Sequence, residues 1–140
     1  MPTEGFWDVV SNLTAPQGTP GPALESRLFQ DVSLPATVTS MTFDLQAFWN
    51  LAGATAPQFF DVIIEPAGGG IPLQTTNILN LIPGTNGSVA PPVQMPVNLA
   101  PFAGTNVRVI FSFRVNPELT PPPTTTIFID NVSILCQFIG

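Results

Sequence analysis

The chain is predicted to be all-β, an antiparallel sandwich, on three observations. Apolar and polar residues alternate strictly in several separate segments, and no segment shows a 3.6-residue apolar period. The 17 prolines and 11 glycines fall between the alternating runs instead of forming one biased tract. At 140 residues the chain is one domain, long enough to bury a core without staples.

Residues 6–12 read as a short first strand, followed by a Pro/Gly loop over residues 15–22 and a second strand at 25–34, stopped by Pro35. The clearest strand covers residues 38–49. Met41, Phe43, Leu45 and Ala47 point one way while Ser40, Thr42, Asp44 and Gln46 point the other. One buried and one solvated face is the pattern of an antiparallel sheet. Residues 59–65 repeat it, with Phe60, Val62 and Ile64 inward and Asp61 outward, and end at the Gly68-Gly69-Gly70 turn. A weaker strand covers residues 75–82, closed by Pro83 and Gly84. From Pro66 to Val107 the chain carries no charge. Residues 107–115 alternate again, with Val107, Val109, Phe111, Phe113 and Val115 inward and Arg108, Ser112 and Arg114 outward. Pro121-Pro122-Pro123 reads as a stiff surface loop and residues 126–138 as the last strand. Six or seven strands at this spacing, with turn signals between them, make a sandwich or a barrel.

Composition excludes several functions. Charged residues are 9% of the chain, against about 25% in an ordinary soluble domain. Lys, His and Tyr are absent, and the only cations are Arg27, Arg108 and Arg114. Three cations in a chain of net charge −6 cannot neutralise a phosphate backbone, so neither nucleic acid nor an anionic leaflet is expected as a partner. No apolar run is long enough for a membrane span, and the start of the chain lacks a basic region and an apolar core, so no signal peptide is expected.

Without His, Lys or Tyr the common catalytic acids, bases and nucleophiles are missing, and no enzyme is expected. A glycosidase pair would have to come from carboxylates such as Asp44 and Asp61, which the alternation places on solvated faces, where they serve solubility. Cys136, near the end of an apolar run, reads as a small core residue; facing outward it would allow an intermolecular bridge. N-glycosylation sequons stand at Asn12, Asn86 and Asn131.

Three segments each resemble a segment of a group of extracellular jelly-roll modules. Leu28-Phe29-Gln30-Asp31-Val32-Ser33-Leu34-Pro35 resembles their "s-L-x-Q-x-V-x-L-P" strand, and residues 98–111 their "d-L-s-x-y-a-G-x-x-V-x-l-x-F" segment. Phe128-Ile129-Asp130-Asn131-Val132-Ser133-Ile134 resembles their closing "f-x-i-D-D-V-x-l" strand. The group includes MAM-like domains and many carbohydrate-binding modules. The resemblance covers residues 24–135 in order and implies a β-sandwich of jelly-roll type. Two departures stand out. Pro2-Thr3-Glu4-Gly5-Phe6-Trp7 occupies the place of an acidic "n-G-x-F-E" strand, which would leave the sandwich one strand short, and Asn131 replaces the second Asp of the closing pair.

These readings yield three candidate sites. Counted by twos, Asp130 shares a face with Phe128, Val132 and Ile134, and a carboxylate on an apolar face must be neutralised, paired or metal-bound. The resemblance implies a structural calcium there, shared with an acidic residue near the N-terminus, Glu4 or Asp8; a β-bulge turning Asp130 to solvent is the alternative. Trp49, Trp7 and Phe102 are candidate stacking surfaces for a polysaccharide, with Asn50, Gln58, Asn77 and Asn106 as polar partners. Trp49 also continues the inward phase of Met41 and Leu45, which favours the core. Finally, residues 1–23 can act as an exchangeable arm on the sandwich of residues 24–140. Phe6, Trp7, Val9 and Val10 would fill a neighbour's open sheet edge and polymerise the chain. The expected function is a self-assembling structural protein, a subunit of an extracellular filament, surface layer, spore coat or virion decoration. The rival is a carbohydrate-binding or adhesion module of a secreted protein.

Overall fold

The computed structural model describes residues 9–14, 24–115 and 124–137. Among them run eight strands: β1 (Val9–Thr14), β2 (Leu24–Ser33), β3 (Val38–Asn50), β4 (Gln58–Pro66), β5 (Gln74–Leu81), β6 (Asn86–Asn98), β7 (Asn106–Val115) and β8 (Thr124–Cys136). A single 3-10 turn, Ala100–Phe102, joins β6 to β7. The strands form two four-stranded sheets in the orders β1-β8-β3-β6 and β2-β7-β4-β5, antiparallel at every pairing. Eight strands in that order, in two facing sheets, are a jelly roll. The expected fold class holds.

The alternation read from the sequence places the core. Met41, Phe43, Leu45 and Ala47 of β3, Phe60, Val62 and Ile64 of β4, and Val107, Val109, Phe111, Phe113 and Val115 of β7 are all buried in one cluster. At its centre Phe43 meets Phe60 and Phe111 edge-on, at 6.5 and 5.2 Å between ring centroids, across the gap between the sheets. Edge-to-face packing adds about 0.5–1.5 kcal/mol per pair beyond the buried area. A buried hydrogen bond also crosses the gap, from the Thr125 hydroxyl on β8 to Gln58 Oε1 on β4, at 2.5 Å.

One expectation is corrected. Residues 86–98, left between strands in the sequence, form β6, and the sandwich is not one strand short. Pro91, Pro92 and Pro96 hide this strand from pattern reading, yet β6 lies at a sheet edge, the place in a sheet where missing amide donors are tolerated. Within the single chain β1 pairs with β8, Val9 opposite Ile129 and Thr14 opposite Thr124, as the outer strand of the first sheet. Phe6 and Trp7, the arm's expected anchors, and the two Pro-rich loops lie outside the described residues.

Candidate functional site

The outer faces of the two sheets differ in charge. On the second sheet the register sets Glu25 opposite Arg114, Arg27 opposite Ser112, and Asp31 opposite Arg108, with Asp61 and Glu65 following on β4. All three cations of the chain lie here, and each is paired. Arg27 Nε is 2.9 Å from Glu25 and its Nη1 3.5 Å from Glu65. Arg108 meets Asp31 at 2.8 Å, and Arg114 meets Asp61 at 3.1 Å. Two of the guanidinium groups also cover rings, Arg108 over Phe29 at 4.2 Å and Arg114 over Phe59 at 5.1 Å. These long side chains shield the strands beneath. Asp61, Ser112, Ile63 and Ile110, all on this outer face, are buried, although alternation alone reads Asp61 and Ser112 as solvated.

Electrostatics follow from the pairing. Burial works to raise the Glu25 pKa, but the Ser112 hydroxyl and the Arg27 guanidinium outweigh it and hold the carboxyl below its ordinary range. The hydrogen bond from Arg108 holds Asp31 low as well.

The outer face of the first sheet carries no cation among the described residues. Asp44 of β3 sits opposite Asp130 of β8. The two line a cavity of about 250 Å3 with Gln46, Pro92, Phe128 and Asn131. Its floor comes from a bulge. Thr42 pairs with Ser133 but Asp44 with Asp130, so β8 holds one extra residue there. Asn131 takes a φ of 52°, a left-handed conformation that Asn adopts more readily than most L residues. Its amide Nδ2 donates to Asp44 at 2.8 Å and its backbone N–H to Asp130 at 2.8 Å.

The bulge corrects the face expected for Asp130. Counting by twos fails across Asn131: Phe128 and Asp130 face outward, while Val132 is buried and Ile134 packs on the core. Asp130 is exposed and does not sit on an apolar face. Glu4 and Asp8 lie outside the described residues, among which no group of three or more His, Cys, Asp or Glu side chains gathers to hold a metal.

The sugar-platform residues are not brought together. Trp49 packs on the core and lies so close over β6 that a Cβ on Gly87 would come within 2.5 Å of its ring. Asn50 caps the following turn by accepting from the Ala52 N–H at 3.2 Å. Phe102 also packs on the core, beside the start of β3, whereas Trp49 and Asn50 stand at its end. Gln58 is buried in its bond to Thr125, and Asn77 donates to Asp61 at 2.7 Å. Trp7 lies outside the described residues. Asp44 and Asp61 cannot share a cleft, because they stand on opposite outer faces of the sandwich.

A third surface was visible in the sequence only as an uncharged stretch. Between Pro66, the end of β4, and Asn106, the start of β7, this stretch folds into β5, β6 and their connections, and β5 and β6 are edge strands on one lateral side of the sandwich. Gln74 Nε2 on β5 donates to the Asn98 carbonyl on β6 at 2.9 Å, tying the sheets along that side. No charged residue occurs in this stretch, and four of its large apolar side chains are exposed: Ile71 by 84%, Leu73 by 55%, Ile82 by 60% and Val93 by 48%.

No family model matches the chain, and no curated protein matches it significantly. Among solved structures it is similar to the protein of T=1 particles derived from infectious bursal virus, at TM-score 0.42 and 12% identity, covering 91% of this chain and 38% of that one. The infectious bursal disease virus Gx strain structure gives TM-score 0.29 and 12% identity over 92% and 38% of the two chains. The T13 IBDV viral particle gives 0.31 and 11% over 93% and 40%. The chain thus spans about two fifths of the length of these proteins.

Proposed function

We propose that the protein is a non-catalytic structural subunit that assembles with copies of itself, through the side formed by β5 and β6, into a particle, layer or filament. The observation that carries this reading is the charge-free side itself. A chain of net charge −6 keeps 42 consecutive residues, Pro66 to Val107, free of charge and exposes four large apolar side chains along them. A monomer gains nothing from such a surface, whereas each side chain buried in a contact contributes about 1.5–3 kcal/mol. Light scattering across a concentration series, with negative-stain microscopy of the same samples, tests it. Particles or discrete oligomers are expected; a monomer at the highest attainable concentration overturns the reading.

The cavity at Asp44 and Asp130 supports a second reading, a polyol or sugar ligand. Two carboxylates accept hydrogen bonds from hydroxyl groups, Gln46 and Asn131 supply planar amides, and Phe128 offers a ring. Titration with a glycan panel, repeated on Asp44→Ala, decides it: saturable binding lost in the variant is expected, and no binding refutes it.

A further inference from the structure

We infer that two copies meet through β5 itself, antiparallel about a two-fold axis normal to the sheet, so that the two second sheets fuse into one of eight strands. This inference rests on the self-assembly reading and adds the register. Of the four edge strands, β6 carries three prolines and β2 carries Glu25, Arg27 and Asp31, devices that discourage strand addition. β1 offers six residues among those described. β5 offers eight, Gln-Thr-Thr-Asn-Ile-Leu-Asn-Leu, without charge or proline. A second copy fits this edge because, in the register given below, the strand is complementary to itself. Two bodies of charge −6 repel at every charged surface, and here they meet where neither has any.

The bulge in β5 fixes the register. Phe60 pairs with Leu79 but Asp61 with Asn77, leaving Ile78 as the extra residue, and Asn77 Nδ2 holds the kink by donating to the Leu79 carbonyl at 3.2 Å. The outward phase therefore changes within the strand. Leu73, Thr75 and Asn77 are exposed before the bulge, Asn80 and Ile82 after it. An antiparallel pairing centred between Asn77 and Ile78 sets Leu73 opposite Ile82 and Thr75 opposite Asn80 of the second copy. Less exposed residues then meet less exposed ones, Gln74 with Leu81 and Thr76 with Leu79. In an unbulged strand this register would join opposite faces. With the bulge, like meets like along nearly the whole strand, and the two exposed apolar residues at its ends become cross-strand pairs, twice per dimer.

Cross-linking tests the register. In a Cys136→Ser background, Leu73→Cys and Ile82→Cys are made separately, and each is oxidised alone and as an equal mixture. The expected result is a disulfide-linked dimer in the mixture and little in either alone. Ile82→Glu should raise the dimer dissociation constant by about 100-fold, since the contact occurs twice. If either single variant cross-links as readily alone as in the mixture, the register is overturned. If nothing cross-links while the unmodified chain sediments as an oligomer, the β5 contact fails and the assembly reading stands. A monomer at every concentration overturns both.

Discussion

The hydrogen bond between Thr125 and Gln58 gives a quantitative test of how the two sheets are held. Both residues are buried, and the Thr125 hydroxyl donates to Gln58 Oε1 at 2.5 Å. Thr125→Val keeps the shape of the side chain and removes the donor, leaving a buried carbonyl oxygen without its partner. A stranded buried acceptor costs about 1–3 kcal/mol, more than the net worth of the bond, which is about 0.5–1.5 kcal/mol. Gln58→Leu on the Thr125→Val background removes the stranded group and should restore part of the loss, so the two changes are expected to be non-additive by about 1 kcal/mol. The assay is urea unfolding of the four proteins at one fixed protein concentration, because self-association would otherwise shift the midpoints. Thr125→Val within about 0.5 kcal/mol of the unsubstituted chain would mean the bond does not couple the sheets. Strict additivity of the two changes would mean the same.

Three further outcomes follow from the geometry. Gly87→Ala drives a Cβ into the Trp49 ring and should cost about 1–3 kcal/mol, with a changed Trp fluorescence; an unchanged midpoint and spectrum would show the ring free to move. Glu25 and Asp31 are held below their ordinary pKa values in the folded chain, so their contribution to stability is complete above the unfolded values and lost as pH falls through the folded ones. The melting temperature should then decline as pH drops below about 4, and a decline on raising the pH from 5 to 8 would contradict it. With Asp130 turned outward, a chelator is expected to leave the melting temperature unchanged; a drop that Asp130→Ala abolishes would show a structural calcium held by that residue.

Much of the fold can be read directly from alternation. In β3, β4 and β7 the inward residues named from the sequence are those of the core, because a strand's two-residue period is local information. The misreadings have local causes too. β6 was invisible because its prolines imitate a loop, and only its place at a sheet edge makes them tolerable. Counting by twos puts Asp130 on the wrong face because one residue in the left-handed conformation shifts the phase of everything after it, and Asn131 is the only hint in the sequence. Alternation places Asp61 and Ser112 correctly outward but wrongly in solvent, since their cover comes from arginines on neighbouring strands, which no single segment encodes. The charge-free stretch was plain in the sequence, but that it forms one side of the sandwich depends on the pairing order.

The segregation of the arginines has a consequence for any array of these subunits. A two-fold axis normal to the sheet leaves both copies with the same face upward. Any further contact, elsewhere on the surface, that keeps a parallel two-fold axis builds an array whose top and bottom are chemically unlike. One surface would display compensated ion pairs around Phe29 and Phe59, the other Asp44 and Asp130 with no cation among the described residues. Such an array has handed sides, an inside and an outside, before any curvature is imposed. Basic material would adsorb more readily to the side of Asp44 and Asp130, where no arginine competes.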